Sequence, residues 1–207
     1  MFLCVGCGYV CRTEMLPTGT YRYEIRRGGQ PVAREETTFD GSRITGWRQS
    51  IDGSDRSEVD AEISSDGAVI RIRLRYVRGP FSRNANYEAK DDFLRGSVSA
   101  LGGRNALTAK LGRYRELNAD FVLFRALTLA HVRARGQSRW TGRVANIDGA
   151  TLVAASNKQS ARAADSSGLR WTYEPRMGDL EDIEMDAEGK ILRRRDNRGG
   201  EAILVKD

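Results

Sequence analysis

Residues 58–77, EVDAEISSDGAVIRIRLRYV, decide the fold. Val59, Ala61 and Ile63 alternate with acids on the first arm, and Ile70, Ile72, Leu74 and Tyr76 alternate with Arg71, Arg73 and Arg75 on the second. A period of two is the period of a pleated strand, which sends successive side chains to opposite faces. Between the arms, Ser-Ser-Asp-Gly offers the residues that accept the positive φ of a tight turn. The stretch predicts an antiparallel hairpin.

The same grammar recurs in both directions. Turn dipeptides stand at Asp40-Gly41, Asp52-Gly53, Asp148-Gly149 and Glu188-Gly189. In 19–26, GTYRYEIR, Tyr21, Tyr23 and Ile25 share one face and Arg22, Glu24 and Arg26 the other, and Gly28-Gly29 then turns the chain into 32–39. A late copy alternates Ile183 and Met185 with Asp182, Glu184 and Asp186, turns at Ala-Glu-Gly, and sets those acids against the arginines of 190–195. Further strands are expected at 138–145, 151–156, 169–174, 178–185 and 202–206.

One segment departs from this pattern. Residues 120–135, DFVLFRALTLAHVRAR, contain no Gly or Pro, open on the N-cap type residue Asp120 and end before Gly136. Their wide apolar arc, Phe121, Val122, Leu123, Phe124, Leu127, Ala130 and Ala134, predicts a helix packed on or inside the sheet. A dozen strands with one late helix give a mainly β fold, a large curved antiparallel sheet or open barrel wrapped around that helix. We expect a lead over 1–16 and a single β-rich domain over 17–207, long enough to bury its own core.

Composition narrows the partners. Lys plus Arg number 34 against 28 Asp plus Glu, a net charge of +6, but the basic residues are interleaved with acids and form no phosphate-tracking patch, so no nucleic-acid partner is expected. No apolar run reaches the roughly 18 residues of a spanning helix. The opening MFLCVGCGYVC lacks a basic n-region. Localisation is therefore left between the cytoplasm and, if the true start lies upstream, the cell envelope or periplasm.

Several residue groups bear on chemistry. Cys4, Cys7 and Cys11 have the spacing of three thiolate ligands, but there is no fourth Cys and His131 is the only His, so neither a metal nor another cofactor is expected. His131 reads as a helix-edge residue beside Arg133 and Arg135 in preference to a general base. No G-x-S-x-G elbow is present. The run Asp179, Glu181, Asp182, Glu184 and Asp186 is assigned to the solvated side opposite Ile183 and Met185. Arg71, Arg73 and Arg75 form a one-sided ladder, suited either to gripping an anion or to protecting an edge strand. The aromatics Tyr21, Tyr23, Tyr76, Tyr87, Trp47, Trp140, Trp171 and Tyr173 fall on strands, where inward rings line a pocket or fill the core.

With its opening GTYRYEIRRGGQPV, its SSDG and DAEG hairpins and its lone late helix, the chain resembles the half-barrel proteins typified by bacterial lipoprotein carriers and their relatives of unknown function. The resemblance covers most of the chain and carries over no functional residue. It implies a cavity for an acyl chain or other apolar ligand. The expected function is binding of a small hydrophobic or amphipathic ligand, with an acidic group met by Arg, between the sheet and the helix. The residues assigned to it are Tyr21, Tyr23, Trp47, Arg73, Tyr76, Trp140 and Trp171. The alternative is a cofactor-independent lyase, cyclase or isomerase in the same cavity, with His131 or Tyr173 moving protons. Oligomeric state is not specified by these features.

Overall fold

The structure, a computed structural model, describes residues 16–65, 67–100, 103–112 and 116–205. The cysteine-bearing start lies outside the described residues. The first strands are β1 (Gly19–Arg27), β2 (Gln30–Phe39), β3 (Arg43–Ser50), β4 (Asp55–Ile63), β5 (Val69–Arg78), β6 (Phe81–Lys90), β7 (Phe93–Ala100) and β8 (Gly103–Lys110). A short strand β9 (Leu117–Asn118) leads into the helix α1 (Val122–Ala134). The chain then forms β10 (Arg139–Ile147), β11 (Ala154–Ala163), β12 (Arg170–Arg176), β13 (Asp179–Met185), β14 (Ile191–Asp196) and β15 (Gly200–Leu204).

Each strand pairs with its sequence neighbour, and β1 pairs with β15, so one sheet runs from β8 through β1 and β15 to β10 and β9. The hairpin expected at 58–77 is β4–β5, with Val59 opposite Leu74 and Ala61 opposite Ile72. Its turn uses Gly67 at φ +82°, a conformation in which a Cβ would be strained. In the late hairpin Asp182 faces Arg195 and Glu184 faces Arg193, the expected cross-strand arrangement.

The sheet curls until its two ends meet side by side. Ser156 of β11 donates to the Lys110 carbonyl of β8 at 2.7 Å, joining the two ends. No ladder joins β8 to β10 or β11, so the barrel stays open.

The helix lies in the lumen. Every residue from Val122 to Val132 is buried, Arg125, Thr128 and His131 included. The expected N-cap does not form, because Asp120 has φ +46° and the capping position falls to Phe121, which supplies no side-chain acceptor. The Asp148-Gly149 turn also differs. Its loop is longer than a two-residue turn, Asp148 accepts the Thr151 amide at 2.7 Å, and the positive φ belongs to Leu152 at 58°. The strand expected from 151 therefore starts at Ala154.

Candidate functional site

The strand registers place six inward side chains in one row across β1 to β6. Tyr23 faces Glu35, Glu35 faces Arg48, Arg48 faces Ser57, Ser57 faces Tyr76, and Tyr76 faces Arg83. A polar row on the inner face of a sheet must find partners, since an unpaired buried polar group costs roughly 1–3 kcal/mol. Two of its members, Glu35 and Arg48, are spent on the helix and the segment that leads into it.

At its middle, Glu35 Oε1 accepts the Val122 amide at 2.8 Å and Oε2 accepts Arg48 Nη2 at 2.8 Å. A carboxylate from the sheet thus caps the helix that lacks its own cap, where the macrodipole favours negative charge. Arg48 extends to Asp120 at 3.1 Å and lies over the Phe121 ring at 5.8 Å. Burial raises the Glu35 carboxyl above its ordinary value, with the Arg48 guanidinium pulling the other way.

A second buried group sits on the far wall. Arg125 of α1 makes a two-pronged pair with Glu181, Nε to Oε2 at 2.9 Å and Nη2 to Oε1 at 3.1 Å, and reaches Gln159 Oε1 at 3.3 Å. Its guanidinium stacks over the Tyr173 ring at 4.0 Å, and Tyr173 in turn stacks on Trp140 at 6.4 Å. The Tyr173 hydroxyl donates to Gln159 Oε1, which leaves Gln159 Nε2 without a partner. Burial lifts the Tyr173 phenol to about 12, so it stays protonated near neutrality.

Glu181 corrects the reading of the acidic run. It shares parity with Ile183 and Met185, and all three point inward, so it is a buried partner for Arg125 while Asp182 and Glu184 remain outside. The interior is correspondingly full. The hollows beside Phe121 and beside His131 hold about 10 Å³ each, room for about one water. Among the described residues, α1 and buried side chains from the sheet stand in the space that the sequence assigns to a ligand.

The expected site residues divide accordingly. Tyr21, Tyr23, Trp140, Trp171 and Tyr173 are buried core residues, with Tyr23 donating to the Ile191 carbonyl at 3.0 Å and Trp171 to the Gly168 carbonyl at 2.9 Å. Trp47 and Arg73 face outward. Trp47 lies under Arg56 at 5.1 Å, and Arg73 stands 3.8 Å from Asp60 in an outer ladder whose other rungs are Arg71–Glu62 and Arg75–Glu58. His131 is buried in the helix beside Glu116, Thr128 and Gly67. Its hollow is lined by Glu116, Leu117, Phe124 and Thr128, whereas Tyr173 packs against Arg125, Gln159 and Trp140.

Two of the expected residues border open space, Arg73 in a shallow outer-face hollow of about 460 Å³ beside Asp60 and Asn86, and Tyr76 at the end of the barrel. At the end of the inner row, Tyr76, Arg78, Phe81 and Arg83 of the β5–β6 hairpin line a recess of about 190 Å³ closed on one side by Ala150. Arg83 Nη1 donates to the Ala150 carbonyl at 2.6 Å. Arg78 makes no ion pair among the described residues, in contrast to the outer-face arginines. The loop carrying Ala150 is itself held from the sheet. Tyr87 donates to the Leu152 carbonyl at 2.7 Å and accepts the Ala154 amide at 3.2 Å. Sequence reasoning sets Arg78 beside the Arg71, Arg73 and Arg75 ladder, whereas Phe81 and Arg83 escaped it because the hairpin turn interrupts the alternation that marks their face.

No known family model matches the chain, and no curated protein matches it either. Two solved structures are similar in shape. One is a DUF1089 family protein from Pseudomonas aeruginosa, 16% identical, with a TM-score of 0.61 over 79% of this chain and 89% of that one. The other is a beta-barrel-like protein of domain of unknown function DUF1849 from Brucella abortus, 11% identical, with a TM-score of 0.55 over 92% of this chain and 97% of that one. What this chain shares with both is the barrel-like antiparallel fold.

Proposed function

We propose that the chain is a binding module for an anionic amphiphile, taken up at the mouth of the barrel between Tyr76, Phe81, Arg78 and Arg83. The observation that carries this reading is the recess itself, where two aromatic rings and two guanidinium groups converge on open space. Aromatic rings offer apolar area at low entropic cost, and a guanidinium without a carboxylate partner is ready to pair with a carboxylate or phosphate. A recess of about 190 Å³ is below the usual range for a whole drug-sized ligand, so it holds a headgroup and the first part of a chain. The mouth replaces the lumen as the place of binding. The catalytic alternative has less support, since His131 and Tyr173 are both buried and have different neighbours.

Titration with dodecyl phosphate, dodecanol and inorganic phosphate tests the reading. Dodecyl phosphate is expected to bind most tightly, and Arg78→Ala to weaken it about tenfold, the effect of losing one charge-assisted contact. Equal binding of dodecanol, or an unchanged affinity in Arg78→Ala, would sink the proposal.

A further inference from the structure

Large apolar side chains that remain exposed concentrate at one end of the barrel. Val32, Ile51, Phe81, Val153, Met177 and Leu180 all lie at the end of the sheet that carries the β1–β2, β3–β4, β5–β6, β10–β11, β12–β13 and β14–β15 turns, whereas Ile70 and Val205 lie at the other. Met177 is 98% exposed and Phe81 61% exposed. Of the exposed large apolar side chains among the described residues, six stand at this end and two at the other, and a group of this kind points to a surface that covers it.

Hydrogen bonds and strand register link these turns into a continuous rim. Asn197 Nδ2 donates to the Gly178 carbonyl at 2.8 Å, the Gly28 amide to Gly199 at 3.0 Å and the Ile51 amide to Val32 at 2.9 Å. Asp55 faces Arg78, and Arg78 faces Phe81. The rim therefore runs without a break from Met177 to Phe81, and the recess opens onto it.

Acids and arginines are mixed at this end, where Asp55 stands opposite Arg78 and Asp179 pairs with Arg198. Asp52, Asp148 and Asp196 each accept a backbone amide of their own turn, from Ser54, Thr151 and Arg198. Among the described residues Arg27 and Arg78 make no ion pair, and Arg83 is held by the Ala150 carbonyl. Exposed turn-tip apolar groups with available guanidinium groups beside them match the chemistry of an interface with anionic headgroups, where each basic residue near the surface adds attraction.

We infer that the barrel sits mouth down on an anionic lipid surface, with Ile51, Met177 and Phe81 entering the headgroup region. This rests on the reading of the recess as an amphiphile site, which the bilayer would then supply directly.

Cosedimentation of the full chain with vesicles of phosphatidylglycerol and phosphatidylcholine, and of phosphatidylcholine alone, tests it. The mixed vesicles are expected to retain the protein and the neutral ones to retain much less. An Ile51→Ser/Met177→Ser variant, altered only at exposed positions outside the recess, is expected to lose about tenfold in vesicle affinity from the apolar area removed. An Ile70→Ser/Val205→Ser variant at the opposite end is expected to bind as the unmodified chain does. No sedimentation of the unmodified chain, or equal binding by the rim variant, overturns the proposal. Dodecyl phosphate binding without vesicle binding overturns the docking and leaves the amphiphile reading standing. Rim-dependent vesicle binding without dodecyl phosphate binding supports the docking and overturns that reading instead.

Discussion

Glu35 caps a helix that begins 87 residues later in the chain, its carboxylate accepting the Val122 amide at 2.8 Å. The same side chain holds the buried guanidinium of Arg48. Glu35→Ala therefore strands a helix amide and a charge at once, and removing one partner of a buried pair costs about 3–5 kcal/mol. Urea unfolding is expected to show a loss of that size. Glu35→Gln keeps an acceptor for Val122 and should cost distinctly less. Equal losses would mean that the charge on Glu35, and not its acceptor role, holds the helix.

The two classes of carboxylate predict opposite pH dependences. Burial raises Glu35, so its contribution is present below its unfolded value of 4.5 and is lost as pH rises through the raised folded value. Asp60 and Asp148 are lowered, the first chiefly by the Arg43 hydrogen bond and the second by the Thr151 amide. Their contributions are present above 3.8 and are lost as pH falls through the lowered folded values. Unfolding midpoints measured from acid to neutral pH should fall away at the acid end, with a shallower acid limb in Asp148→Asn. In Glu35→Gln the decline above pH 4.5 should be reduced relative to the unmodified chain.

The Arg125–Glu181 pair stabilises the fold only as a unit. Glu181→Leu alone leaves a buried guanidinium, and Arg125→Met alone leaves a buried carboxylate, each expected to cost about 3–5 kcal/mol. The double variant Arg125→Met/Glu181→Leu is expected to recover most of that loss, because an apolar pair of similar volume removes both desolvation penalties. A double-mutant cycle in denaturant gives the coupling directly. Strictly additive losses would refute the coupling.

How far the sequence discloses this architecture depends on whether a signal is local. The alternation of Ile72, Leu74 and Tyr76 with arginines identifies β5, and the unbroken apolar arc of 121–134 identifies α1, because both depend on period alone. β6, FSRNANYEAK, is harder, since its inward positions include Ala85 and Ala89 and its outward ones Asn84 and Asn86. The inner polar row supplies about one residue per strand, so nothing in the linear order relates Tyr23 to Arg48 or to Arg83. Only register assembles it. Glu181 was legible, since parity with Ile183 places it inward, but its neighbours Asp182 and Glu184 present it as part of one charged face.

Tyr87 links the core to the proposed binding recess, and its hydroxyl can be removed without altering packing. That hydroxyl donates to the Leu152 carbonyl and accepts the Ala154 amide, so it holds the two peptide groups that flank Val153, directly after Leu152, whose φ of 58° is disfavoured for leucine. Tyr87→Phe leaves two backbone groups without their partner and should cost about 1–3 kcal/mol. The loss should be local before it is global. Hydrogen exchange is expected to quicken across 148–154 more than at α1, and dodecyl phosphate affinity to fall, because Ala150 on that loop closes the recess opposite Arg83. The neighbouring Gly96 offers a second route to the same effect. It lies opposite Tyr87, and a Cβ there would come within 2.7 Å of the ring and 1.9 Å of the Asn86 carbonyl oxygen. Gly96→Ala must therefore displace Tyr87 or the strand and should cost about 1–3 kcal/mol as overpacking does. If both variants lose stability but keep full amphiphile affinity, Tyr87 is structural only, and the recess does not depend on where the loop sits.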